Sequence, residues 1–179
     1  EKNNPDFIKA QSIGLPIKTR SEYLIDILSE YRTIAVAGTS GKSTISGLLA
    51  FILQKLNMEP NFIGGGRVKQ FITPVNAGNH LSGSSDMLVI EACESDGSII
   101  SYSPAYSIIS NLDLDHHSIE ETARMFEKLS DNTSEFVIAG RDDKNLSSCD
   151  LGNAVRFSIY NSSKYQANKG DSRKQSHNL

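Results

Sequence analysis

Cysteine is scarce in this 179-residue chain: Cys93 and Cys149 are the only two. They are too few and too far apart for a disulfide scaffold or a structural zinc site. No stretch approaches the roughly 20 apolar residues that span a bilayer. Charge of one sign is missing as well. Eighteen Lys and Arg stand against 21 Asp and Glu, a net charge of −3, so nothing draws the chain to nucleic acid or to an anionic membrane. The opening Glu1 to Asp6 lacks the basic-then-apolar order of a signal peptide. The expectation is a cytoplasmic protein with neither a nucleic-acid nor a membrane partner.

Apolar residues make up 38% and charged residues 22%, the balance of an ordinary globular chain. Its length suits one well-buried domain, or one domain with fragments of neighbours. Both ends read as cut. The chain opens on the polar run Glu1-Lys2-Asn3-Asn4-Pro5, and the stretch from Asn168 to Gln175 has too few large apolar residues to bury a core. No internal repeat is present.

Secondary structure follows from periodicity. Leu24, Ile27, Leu28 and Tyr31 share one face of a helix over Ser21 to Tyr31, with Ser21 as the candidate N-cap. Thr33 to Ala37 reads as a buried strand. From Thr44, Ile45, Leu48, Leu49, Ile52, Leu53 and Leu56 recur at helical spacing and read as a core-facing stripe. Further strands fit Asn61 to Ile63, Met87 to Ile90, Ala105 to Ile109, Phe136 to Ala139 and Ala154 to Ile159. A helix from about Ile119 to Leu129 opens on a capping box, Ser118 with Glu121 three residues on. Strands alternating with helices predict an α/β fold, a mostly parallel sheet flanked by helices. Ligands of such sheets bind beyond the carboxyl ends of the strands, here just after Ala37, Ile90 and Ile109.

One of those positions carries a phosphate loop. Gly38-Thr39-Ser40-Gly41-Lys42-Ser43-Thr44 joins the first strand to a helix. Glycines let backbone N–H groups curl around phosphate oxygens, and the helix N-terminus adds the positive end of its dipole. Lys42 can reach β- and γ-phosphates, and the Ser43 hydroxyl is a hard oxygen ligand for Mg²⁺. The general Walker pattern asks for glycine where Val36 stands, so the spacing is a variant. Glu91, directly after a strand at the same edge, is placed to complete magnesium coordination; the plain alternative is a solvated strand-terminal acid. Glu94 and Asp96 suit substrate contacts or support of the metal site, or a solvated loop. Asn111 and Asp115 suit orientation of substrate or of His116, or local backbone groups. His80 and His117 have no supporting pattern, and His117 is expected to face solvent. No spacing argues for a Ser-His-Asp or Cys-His nucleophile.

Three segments together resemble the Mur ligases, in family order. They are Ala35-Val36-Ala37-Gly38-Thr39-Ser40-Gly41-Lys42-Ser43; Val89-Ile90-Glu91-Ala92-Cys93-Glu94-Ser95-Asp96-Gly97-Ser98, with Cys93 where the family usually has Asp; and Ser110-Asn111-Leu112-Asp113-Leu114-Asp115-His116. Weaker matches are Gly64-Gly65, Gly78-Asn79 and the terminal His177-Asn178, where Gln175 replaces the glycine of the adenine-contacting motif. The wording favours the alanine-adding branch. The resemblance implies a P-loop-type central domain over residues 33–179, preceded over 1–32 by the end of a UDP-binding domain and its linker. It also implies that a C-terminal amino-acid-binding domain is missing. ATP and Mg²⁺ are the implied cofactors, with UDP-N-acetylmuramate and L-alanine as substrates joined through an acyl phosphate in peptidoglycan synthesis.

The same resemblance makes Lys42, Glu91 and His116 catalytic and Ser43, Glu91 and His116 metal ligands. It gives ATP binding to Gly38 through Thr44 with His177 and Asn178, and substrate or supporting roles to Asn79, Glu94, Ser95, Asp96, Asn111 and Asp115. A histidine on magnesium comes only from the resemblance, since the ion prefers oxygen. Lys128 lies in the region where some Mur ligases carbamylate a lysine, but no local motif supports that role. Two other readings remain open: a recycling ligase that adds a whole tripeptide to the same sugar nucleotide, and a non-catalytic nucleotide-binding module.

Overall fold

The computed structural model describes residues 3–167; His177 and Asn178 lie outside them. Eight strands form one sheet: β1 (Arg32–Ala37), β2 (Asn61–Ile63), β3 (His80–Leu81), β4 (Met87–Glu91), β5 (Tyr106–Ile109), β6 (Phe136–Gly140), β7 (Val155–Ser158) and β8 (Tyr165–Gln166). Their order is β3-β2-β4-β1-β5-β6-β7-β8. Every pairing is parallel except that of β2 with the two-residue edge strand β3. The helices are α1 (Pro5–Ser12), α2 (Arg20–Ser29), α3 (Lys42–Lys55), α4 (Ile119–Asp131) and α5 (Lys144–Ser147). The predicted mostly parallel α/β sheet is the one observed. β3 and β8 were not expected; two-residue edge strands leave almost no periodic signal.

Both faces are covered, and the period of two shows how. On one face Val36, Val89 and Phe62 pack with Ile45, Leu49 and Leu53 of α3. On the other, Ala35, Ala37, Leu88, Ile90 and Ile109 pack with Leu24 and Leu28 of α2 and Phe126 and Leu129 of α4. β1 lies between β4 and β5. The chain leaves β1 through α3 to β2 on one side and crosses to β5 on the other only after β4, a change of side that opens the crevice where such sheets bind ligands.

Two local expectations need correction. The cap of α2 is Thr19, not Ser21: Thr19 Oγ1 accepts from the Glu22 N–H at 3.2 Å, and the Glu22 carboxylate accepts from the Thr19 N–H at 2.7 Å. Both hydroxyls could cap, and Glu22, three residues after Thr19, decides between them. The apolar stripe of α3 is not wholly core. Its buried centre is Ser46, Gly47 and Ala50, small residues; a Cβ on Gly47 would sit 2.8 Å from Val68 Cγ2. Leu48, Ile52 and Leu56 are 56%, 44% and 63% exposed, because the row they form points away from that contact. The capping box of α4 is as predicted, with Glu121 N–H on Ser118 Oγ at 3.2 Å.

Candidate active site

The turn from β1 into α3 has a backbone that only particular residues allow. Gly41 has φ +83° and Gly38 has φ +139°, both unfavourable for residues with a Cβ. A methyl group on Gly38 would also collide with Ser110 Oγ. Gly41 is the N-cap of α3 and provides no side-chain cap, and the first turn holds no acid. Its N–H groups therefore point outward with the dipole's positive end. The loop is clamped from β5: Asn111 Oδ1 accepts from Thr39 Oγ1 at 2.8 Å and Ser40 N–H at 2.9 Å, while Asn111 Nδ2 donates to Ser40 O at 2.8 Å. Asn111 thus supports the phosphate loop rather than His116.

The acidic segment after β4 meets the same loop twice. The Ser43 hydroxyl donates to Glu91 Oε1 at 3.0 Å, and the Gly65 N–H donates to Glu91 Oε2 at 2.8 Å. A Cβ on Gly65 would sit 2.9 Å from that oxygen, so glycine there lets the backbone approach the carboxylate. Three residues on, Glu94 is 1% exposed, and both its oxygens lie 3.1–3.2 Å from Lys42 Nζ, with Oε1 accepting the hydrogen bond. Lys42 Nζ also donates to Gly38 O at 2.8 Å. Glu94 is therefore neither solvated nor exposed to substrate.

The remaining candidates divide. Asp96 accepts from Ser98 N–H at 3.0 Å and from Ser21 Oγ at 3.0 Å, tying the segment to α2. Partial burial works against its charge. The hydrogen bonds from Ser98 and Ser21 and the charge of Arg20 outweigh that, holding the carboxyl below its usual range. Ser95 Oγ lies 3.0 Å from Cys93 Sγ. Asn79 is exposed and contributes its carbonyl, which accepts from the Gly64 N–H at 2.9 Å. His116 is exposed, 3.9 Å from Asp115 Oδ1, and has no hydrogen bond to the Gly38–Thr44 turn among the described residues. His117 was expected to face solvent but is half-buried, and its Nε2 is buried with no hydrogen-bond partner among the described residues. Lys128 is exposed on α4.

Two cavities meet at Glu91. One of about 230 Å³ is lined by Thr39, Gly41, Lys42, Ser43, Thr44 and Glu91. The other, of about 320 Å³, is walled by Glu91, Cys93, Gly65, Ile63 and Arg20 among others. Gly65 is the site residue least legible in the sequence; its signal was the glycine run Gly64-Gly65-Gly66 after a strand.

The model of the Mur ligase middle domain matches residues 36–179. The chain belongs to the Mur ligase family. Mur ligases are ATP-dependent ligases. Among its curated relatives, the UDP-N-acetylmuramate–L-alanine ligase of Thermosynechococcus vestitus is 38% identical over 80% of this chain and 30% of its own length. That of Caldicellulosiruptor saccharolyticus is 36% identical over 81% and 32%. A solved UDP-N-acetylmuramate–alanine ligase from Thermotoga maritima superposes with a TM-score of 0.76 at 30% identity, covering 90% of this chain and 37% of that one. The chain spans about a third of the length of the curated relatives it matches. Among the described residues no helix is long and apolar enough to cross a membrane.

Proposed function

We propose that this chain is the ATP-binding part of a ligase that joins L-alanine to the lactyl carboxylate of UDP-N-acetylmuramate, a step of peptidoglycan synthesis. The observation that carries this reading is the convergence of Lys42, Ser43 and Glu91 on an uncapped helix N-terminus. The relatives named above favour alanine as the amine. In this reading residues 1–32 belong to the end of a UDP-binding domain and its linker, and the amino acid is received by a domain this chain does not include.

The donor set suits magnesium. A hydroxyl and a carboxylate oxygen 3.0 Å apart are hard ligands of the kind the ion takes beside phosphates. Ser43 and Glu91 would hold it, and His116 is assigned a second ion by the family resemblance alone. Bound there, the metal supplies Lewis-acid neutralisation of phosphate charge. The chain's own residues do the rest. The N–H groups of Gly38–Thr44 seat the β- and γ-phosphates, and Lys42 neutralises charge that builds on the γ-phosphoryl group in transfer. The lactyl carboxylate, lodged in the cavity beside Glu91, attacks the γ-phosphorus and ADP departs. The amine then attacks the acyl carbon, the acyl–oxygen bond to phosphate breaks, phosphate leaves carrying the amine's proton, and an amide remains. No side-chain nucleophile is required.

The test is phosphate release by the longer protein that carries this segment. Release that needs both UDP-N-acetylmuramate and L-alanine is expected. Release with a tripeptide but not with alanine points to the recycling ligase. ATP binding without ligation of any amine leaves a nucleotide-binding module.

A further inference from the structure

We propose that Glu94 is a positioning residue for Lys42, holding the ammonium in the phosphate loop so that it faces the β- and γ-phosphates. The inference rests on the nucleotide-site reading above and adds a residue to it.

The lysine stem has four rotatable carbons and a compact, mobile charge. In solution it would sample many positions. Here Nζ is held from several sides: Gly38 O at 2.8 Å, Thr39 O at 3.4 Å, and the Glu94 carboxylate at 3.1–3.2 Å. Lys42 and Glu94 are 9% and 1% exposed, so water does little to screen the pair. A carboxylate buried that deeply needs a cationic partner, and Lys42 forms the only ion pair with it among the described residues. The pairing is built by the fold. The Ala92 N–H on Val36 O extends the β1–β4 register past Glu91. Gly97, with φ +69°, then closes a turn through its N–H on Glu94 O at 2.9 Å. One acidic turn thereby grips two consecutive loop residues, Glu91 on Ser43 and Glu94 on Lys42. Cys93, between the two acids, lines the neighbouring cavity, with its Sγ 3.0 Å from Ser95 Oγ.

Simple charge counting argues the opposite way: a negative group near a triphosphate should weaken its binding. The two effects predict opposite signs, so binding separates them. Calorimetric titration of Mg·ATP into the wild-type chain, E94Q, K42M and the K42M/E94Q double variant gives the cycle. Gln at 94 keeps the shape and one acceptor but replaces a charge-assisted hydrogen bond with a weaker neutral one. The expected result is a Kd raised about tenfold by E94Q, with no further change when E94Q is added to K42M. E94D keeps the charge and withdraws it by one methylene. It is expected to weaken binding several-fold and replaces E94Q in the cycle if E94Q does not fold. An unchanged or tightened Kd in E94Q, or an equal loss in both backgrounds, overturns the positioning role alone. Failure of the wild type to bind Mg·ATP overturns the nucleotide-site reading, and this inference with it.

Discussion

α3 and α4 both begin beyond the carboxyl edge of the same parallel sheet, α3 after β1 and α4 after β5, yet their first turns are opposite in chemistry. α4 is closed by its own sequence. Ser118 and Glu121 cap each other's backbone, and Glu120 and Glu121 set negative charge at the dipole's positive end. α3 opens on Gly41, has no side-chain cap and no acid in its first turn. A helix end costs free energy when its N–H groups lack partners. The molecule accepts that at α3 and avoids it at α4, and also at α2 with its Thr19–Glu22 box. The open end is the one that Lys42, Ser43 and Glu91 surround. Local rules are kept where they serve stability and set aside at the end that the proposed function assigns to phosphate.

The contrast can be broken most forcibly at Lys42. Lys42→Met should lower ATP-dependent turnover in the intact ligase about 10²–10³-fold, whereas Ser118→Ala should leave turnover within about twofold of wild type; steady-state phosphate release measures both. Installing a cap at the open end should come next. Gly41→Asp places a carboxylate over the N–H groups of α3 and strains a left-handed position. Titration with Mg·ATP should show affinity falling about tenfold or more. Removing the cap from α4 is smaller: Ser118→Ala should lower stability by about 1 kcal/mol with Mg·ATP affinity unchanged, read by thermal unfolding and calorimetry.

The smallest effect is the pH dependence of that cap. Hydrogen bonds from Ser118, backbone first and then side chain, depress the Glu121 carboxyl below its usual 4.5. A depressed folded pKa contributes stability that is present above the unfolded value and lost as pH falls through the folded one. Thermal unfolding between about pH 5 and pH 3 should therefore show a shallower loss of stability in Glu121→Gln than in wild type. An identical slope would mean that the box contributes no charge-dependent stability.

Much of the fold was legible because its strands are short apolar runs bounded by turn residues, and the phosphate loop because Gly-Lys-Ser falls at a strand-to-helix junction. The capping box at Ser118 was readable since both partners lie within four residues. What escaped depends on contacts between distant segments. The Lys42–Glu94 pair joins residues 52 positions apart, and Gly65 approaches Glu91 across 26. The ion pair has no local signature, and the glycine run around Gly65 marks a turn without naming the carboxylate it approaches. The outward face of Leu48, Ile52 and Leu56 was misread because periodicity marks an apolar row without saying which side meets the sheet; the small residues Ser46, Gly47 and Ala50 decided that. The half-burial of His117 was equally invisible, since loop burial depends on what packs over it.

The most direct test is a structure of the chain with Mg²⁺ and a non-hydrolysable ATP analogue. The account predicts the β- and γ-phosphates seated on the Gly38–Thr44 turn, Lys42 against them, and a magnesium ion about 2.1 Å from Ser43 Oγ and a Glu91 oxygen. Phosphates bound elsewhere, or a metal held without either residue, would contradict it.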